Sequence, residues 1–167
     1  MSVLVTDERP RDAASVRALV TRAFAAHDDS DGIEPSLIDA LREAGALTFS
    51  LVAVQDGEVV GHLAASPATI GGRSGWTGIG PVAVDPGHQR QGIGSALVRA
   101  AIERLRRSGA RGAVLIGDPA FYGPLGFAPA TDCHWRDIGP PVLQVARLDG
   151  SAPSGETLYA PAFEALV

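Results

Sequence analysis

The chain has 167 residues, 46% of them hydrophobic and 20% charged, with a formal net charge of −5. Such a composition is ordinary for a globular protein, and the length suffices for one domain, expected to span residues 1–167, that buries most of its apolar surface. The acidic balance excludes a general binder of nucleic acid or anionic membrane, which needs a positive field, although "RLRRSGAR" (104–111) is a local basic patch.

Cys133 is the sole cysteine, so no intrachain disulfide is expected, in keeping with a reducing, cytoplasmic setting. The opening "MSVLVTDERPRDAASV" carries charges from Asp7 onward and has no apolar core of signal-peptide length. No apolar run approaches the roughly 20 residues of a membrane-spanning helix.

In chain order, "SVLVT" (2–6) has short strand character. Val16, Leu19, Val20, Ala23 and Phe24 then fall at helical intervals, with Asp12 as a candidate N-cap. "HDDSDGIEP" breaks the pattern. "PSLIDALREAG" predicts a second helix, with Pro35 near its start and Gly45 past its end. Two β-rich runs flank Asp56-Gly57, a dipeptide suited to a tight hairpin turn. "GGRSGWTG" reads as a loop or hairpin tip, and "IGPVAVDP" as the next strand. An amphipathic helix follows at about 93–107, with Ala96, Leu97, Ala101, Ile102 and Leu105 on one face and Arg99, Glu103, Arg106 and Arg107 on the other. It stops near Gly109 and leads into the apolar run "GAVLIG". After residue 128 the chain is rich in Pro and Gly, with strand-like "PVLQVARL" and "GETLYAP". Mixed helices and strands around a strand–helix–strand unit predict an α/β or α+β sheet protein, the central helix crossing right-handedly between parallel strands.

The loop entering that helix reads Gln89, Arg90, Gln91, Gly92, Ile93, Gly94. The first turn of a helix leaves main-chain N–H groups without partners and carries partial positive charge, and glycines there let an anion approach. The expected tenant is a phosphate or pyrophosphate. It is not held in either of two common ways. The dinucleotide fingerprint needs a third glycine where Leu97 stands, and the P-loop needs a terminal Gly-Lys-Ser or Gly-Lys-Thr, which is absent.

"VAVDPGHQRQGIGSALV" resembles the acetyl-CoA signature of the GNAT superfamily of N-acetyltransferases: apolar strand, acidic-Pro turn, Q-x-x-G-x-G, amphipathic helix. "FYGPLGF" (121–127) is similar to the Y-x-x-x-G-F element of the same family. "LIGDPAFYGPLGFAPA" resembles a branch carrying G-D-P-x-Y-Y-x-x-x-G-F, with Phe121 where many members have a first Tyr. Where many relatives carry an Asn before the Tyr element, Gly117-Asp118-Pro119 stands here. The resemblance implies a mixed, strongly bent sheet flanked by helices, its fourth and fifth strands splayed to admit the cofactor, with an acetyl-CoA-binding core at about 79–127.

Further implications follow from this likeness. Gln89, Arg90, Gln91, Gly92, Ile93, Gly94 and Ser95 would hold the pyrophosphate of acetyl-CoA, and the strand Val82-Ala83-Val84 would pair its main chain with the pantetheine amides. Main-chain N–H groups there would also stabilise charge on the thioester oxygen. Tyr122 would be the general acid for the departing thiolate, since a phenol with pKa of about 10 stays protonated at neutral pH. For the base, His62, His88, Glu34, Asp118 and a water chain all stand open. Cys133 and His134 are adjacent but lack further ligands at metal spacing, so no metal site is expected. Trp76 and Trp135 are either core residues or walls of an acceptor pocket. The implied reaction moves the acetyl group of acetyl-CoA to a primary amine, on a small molecule or a peptide, by a monomer or homodimer. The alternatives are a non-catalytic acyl-CoA-binding module on the same fold and, outside the family, a nucleotide-binding domain. The acid-rich "HDDSDGIEPS" (27–36) borders the acceptor site in relatives and would attract a cationic amine.

Overall fold

The computed structural model describes residues 2–27 and 30–167. The chain begins with β1 (Leu4–Asp7) and two helices, α1 (Ala13–Ala25) and α2 (Glu34–Glu43). Three long strands follow: β2 (Phe49–Gln55), β3 (Glu58–Ile70) and β4 (Arg73–Val84). The helix α3 (Ile93–Ser108) then leads to β5 (Gly112–Ile116) and the single turn α4 (Pro119–Tyr122). The remainder comprises β6 (Ala128–Pro129), β7 (Cys133–His134), β8 (Leu143–Arg147), β9 (Gly155–Leu158) and α5 (Pro161–Leu166). Hydrogen-bonded neighbours run β1-β2-β3-β4-β5-β8-β6, and β9 pairs with both β3 and β7. The β4/β5 and β7/β9 pairs are parallel and the others antiparallel. This is the mixed sheet with flanking helices that the family resemblance implies.

The hairpin signals have simple origins. Asp56 and Gly57 turn β2 into β3 at φ 52 and 79. The turn after β3 is only Gly71-Gly72, and β4 then runs unbroken from Arg73, so most of "GGRSGWTG" is strand rather than loop. Asp12 does precede α1, but its carboxylate accepts the Arg9 N–H (2.8 Å) rather than capping the helix.

Two layers of side chains cover the sheet. On one face Leu51, Ala53, Leu63 and Leu115 meet Ile93, Leu97, Ala101 and Leu105 of α3. On the other, Val52 and Ala83 meet Val16, Val20 and Ala23 of α1 and Ile38 of α2. The period-two alternation along β2 thus feeds two cores, which is why β2 and β3 read as continuous apolar runs. Within α3 the fully buried stripe includes Ile93 and Val98, whereas Ala96 is half-buried.

Candidate active site

The sheet opens between β4 and β5. Their parallel pairing is confined to Trp76–Gly78 against Gly112–Val114. Beyond it, Gly80 and Pro81 of β4 stand opposite the single residue Ala64 of β3, a bulge that bends the strand. The Asp85 N–H donates to the Val60 C=O (2.9 Å), which makes that facing pair a bonded one. Because bonded and non-bonded pairs alternate in an antiparallel ladder, Ala83/His62 is the next bonded pair, while Val82/Leu63 and Val84/Gly61 are not. The main-chain N–H and C=O groups of Val82 and Val84 therefore face the opening. Those of Ala83 are engaged by β3, and its side chain lies in the opposite core.

After β4 the chain makes a tight turn at Pro86–His88. Asp85 organises it: a hydrogen bond with His88 Nδ1 (2.8 Å), aided by one from Arg22, holds its carboxyl below the usual carboxylate range. Arg90 (φ 62) and Gly92 (φ 81) both adopt left-handed backbone, which glycine takes freely and other residues at a cost of roughly 1–2 kcal/mol. The Ala96 N–H closes the first bond of α3, to the Gly92 C=O (3.0 Å). Among the described residues, no protein acceptor meets the N–H groups from Gln89 to Ser95. Gly94 has a second role, because a Cβ there would lie 3.2 Å from Phe121 Cζ. The glycine lets that ring lie against the start of the helix.

A cavity of about 540 Å³ runs along this edge. Eight of the ten residues expected to bind the cofactor line it; Ala83 and Gln91 do not. A second cavity, of about 500 Å³, lies toward α1, α2 and α5. His27, Val82 and Tyr122 line both cavities.

Tyr122 ends α4, with its ring edge-on to Phe121 (4.8 Å between centroids) and Phe127 (5.7 Å). The Asp118 carboxylate caps that turn by accepting the Ala120 N–H (2.9 Å). A Cβ at position 117 would lie 2.4 Å from Tyr122 Cε2. The Gly117-Asp118-Pro119 departure from the family pattern thus makes room for the tyrosine ring. Burial pushes the phenol up to about 12, so it keeps its proton throughout the neutral range.

The structure separates the candidate bases. Glu34 and Asp118 line the second cavity. His62 lines neither: it is fully buried, with Nε2 2.7 Å from Ser50 Oγ, and burial lowers it to about 4. His88 is tied to Asp85. Trp135 lines the second cavity, whereas Trp76 is core. Cys133 is buried, and burial raises its thiol. Among the described residues, no three His, Cys, Asp or Glu side chains cluster as metal ligands. Of the acid-rich stretch, Asp28 and Asp29 lie outside the described residues. Sequence reasoning held His27 only as the first residue of the acid-rich stretch 27–36, without a role of its own, and missed the role of Phe121, whose place beside the Tyr element was its only signal.

The sequence profile of the Acetyltransferase (GNAT) family matches residues 13–127. The uncharacterized N-acetyltransferase YhbS of Escherichia coli (strain K12) is 37% identical over 161 residues, covering 93% of each chain. Among solved structures, a GNAT family acetyltransferase from Brucella melitensis in complex with acetyl-CoA is 41% identical, with a TM-score of 0.86, covering 97% of this chain and 98% of that one. The E. coli YhbS structure in complex with CoA superposes with a TM-score of 0.88 at 35% identity, covering 97% and 92%. The chain belongs to the Acetyltransferase (GNAT) family. No helix among the described residues is long and apolar enough to cross a membrane.

Proposed function

We propose that the chain is an acetyl-CoA-dependent N-acetyltransferase in which a bound primary amine attacks the thioester directly. The observation that carries this reading is the placement of Val82 and Tyr122 on the wall shared by two cavities, one of them edged by main-chain amides that meet no acceptor among the described residues. Unpartnered amides at a helix start suit a diphosphate. The similar B. melitensis and E. coli proteins hold acetyl-CoA and CoA respectively. With the diphosphate on residues 89–95, the outward main chain of Val82 and Val84 pairs with the pantetheine amides as an added strand would. The thioester carbon then lies at the junction, open to an amine in the second cavity.

The nitrogen lone pair adds to the carbonyl carbon, and a β4 N–H donates to the developing oxyanion. Collapse breaks the C–S bond; nitrogen loses one proton and sulfur gains one, giving amide and free thiol. Tyr122 donates a hydrogen bond to the sulfur as charge develops there. With its phenol near 12 and a thiol near 8.5, complete transfer is uphill by roughly 5 kcal/mol unless coupled to reprotonation by the attacking nitrogen. Its gain lies in the transition state, where sulfur carries only part of its charge.

Calorimetric titration with acetyl-CoA and a thiol-release assay with primary amines test the proposal. Uptake at one site and release that requires both substrates are expected. The sequence contains no lysine, so acetylation of the enzyme's own side-chain amines adds no background. Absence of uptake overturns the reading, and uptake without release on any amine converts it to an acyl-CoA-binding module.

A further inference from the structure

The second cavity is built mostly from aromatic surface. Phe24, Tyr122, Trp135, Tyr159 and Phe163 line it, five of the nine aromatic residues (five Phe, two Tyr, two Trp) in the chain. Three of these are locked together. Trp135 and Tyr159 pack edge to face at 5.5 Å, and Tyr159 and Phe163 lie 5.2 Å apart. The Glu164 carboxylate accepts both the Trp135 indole N–H (2.9 Å) and the Tyr159 main-chain N–H (3.1 Å), which fixes the wall before any ligand arrives.

The acidic side chains of the cavity are two, and His27 is its one basic lining side chain among the described residues. Glu34 and Asp118 line it, and no arginine does. Ser30 Oγ donates to Glu34 Oε1, but Oε2 is cut off from solvent and has no donor among the described residues. The Tyr159 hydroxyl is likewise buried without a partner. The Glu34 carboxylate thus borders an apolar space with little water to screen it, and a cation in that space is favoured.

We infer that the acceptor is a primary amine on a compact aromatic body, its ammonium drawn in by Glu34 and its ring seated against Trp135, Tyr159 and Phe163. This rests on the N-acetyltransferase reading above. A space of about 500 Å³ is the size of a small-molecule pocket. A linear polyamine has no ring to pack against the aromatic wall, and a lysyl peptide would bring main-chain polar groups with no partners there. An α-amino acid would set its carboxylate against Glu34 and Asp118 with no arginine to receive it.

The test compares phenethylamine with phenylalanine, spermidine and a lysyl peptide on the wild-type enzyme at saturating acetyl-CoA, with calorimetry of acetyl-CoA uptake alongside. Phenethylamine is expected to exceed each of the others in kcat/KM by at least about 30-fold, the effect of roughly 2 kcal/mol at an unpaired buried charge. Glu34→Gln, which keeps the shape and the Ser30 contact, is expected to raise the KM for phenethylamine by about 30-fold, leaving acetyl-CoA affinity unchanged. Preference for spermidine, phenylalanine or the peptide overturns the inference, as does an unchanged KM in a folded Glu34→Gln enzyme. The wild-type ranking stands whether or not that variant folds. Uptake of acetyl-CoA with phenethylamine left untouched removes this inference alone, whereas no uptake removes the underlying function as well.

Discussion

The two cavities that meet at Tyr122 are built from different materials. The one along residues 82–95 is edged by main-chain groups: outward N–H and C=O of Val82 and Val84, and the N–H groups from Gln89 to Ser95, which no acceptor among the described residues meets. The other is walled by side chains that converge from six elements, α1, α2, β4, β5, α4 and α5, and from the segments after β7 and β9. A main-chain site needs only a backbone path and small residues, so a short sequence pattern is enough to encode it. A side-chain site takes its chemistry from whichever residues six elements bring together, and its specificity can change without disturbing the first site. On the proposed function, the first half sets the reaction and the second the substrate.

The largest expected effect tests the main-chain half alone. Gly94→Glu places a carboxylate where the diphosphate is proposed to bind. In the first turn of α3 an acidic residue favours the helix dipole, so the fold tolerates it apart from a small shift of Phe121. Setting like charges together costs about 3 kcal/mol, so the Kd for acetyl-CoA is expected to rise by roughly 150-fold. Calorimetry measures that rise, and thermal unfolding without ligand checks that stability is unchanged. An unaltered Kd would place the diphosphate elsewhere.

Next in size is the junction itself. Tyr122→Phe keeps the edge-on packing with Phe121 and Phe127 and removes only the hydroxyl. Turnover is expected to fall by about 100-fold, the lower end for a group that handles the transferred proton, with acetyl-CoA affinity within about twofold. Full turnover in the Phe variant would leave the tyrosine a packing residue.

The same contrast explains what was legible in the sequence. The Q-x-x-G-x-G loop, the helix expected at 93–107 and observed at 93–108, and the Asp56-Gly57 turn are local features, set by residues adjacent in the chain. Two local readings needed the structure for their reasons. Gly94 serves contact with Phe121 as well as access to the helix start, and Gly117 leaves the space that the Tyr122 ring fills. The main-chain alternation that turns Val82 and Val84 outward and Ala83 inward depends on register with β3, which a single strand cannot reveal. The acceptor wall was the least legible. Phe24, Glu34, Trp135 and Tyr159 share no periodicity, and α5 starts at the end of "GETLYAP", which reads only as strand-like. His62 shows what residue type and strand position leave open: it is fully buried, lines neither cavity and is bonded to Ser50 in a structural network.

That network gives the smallest expected effect and separates the two halves by pH. His62 lies beneath the acceptor side, bonded to Ser50 and 4.0 Å from Glu8 Oε1, while Glu8 pairs in turn with Arg42 of α2. Burial lowers the His62 imidazole from an ordinary 6.5 to about 4, outweighing the opposing pull of Glu8. The unfolded chain therefore binds a proton more readily than the folded one between those two values. The stability that the neutral ring confers is complete above pH 6.5 and is lost as pH falls toward 4. Between pH 7.5 and pH 6 this single group lowers the unfolding free energy by about 1 kcal/mol, and His62→Gln, which keeps a partner for Ser50, is expected to remove that slope. Denaturant titrations of both proteins at the two pH values measure the difference. Because α2 also carries Glu34, hydrogen exchange at pH 5 is expected to loosen α2 before the amides of α3. Uniform protection across both helices would show that the two halves open as one unit.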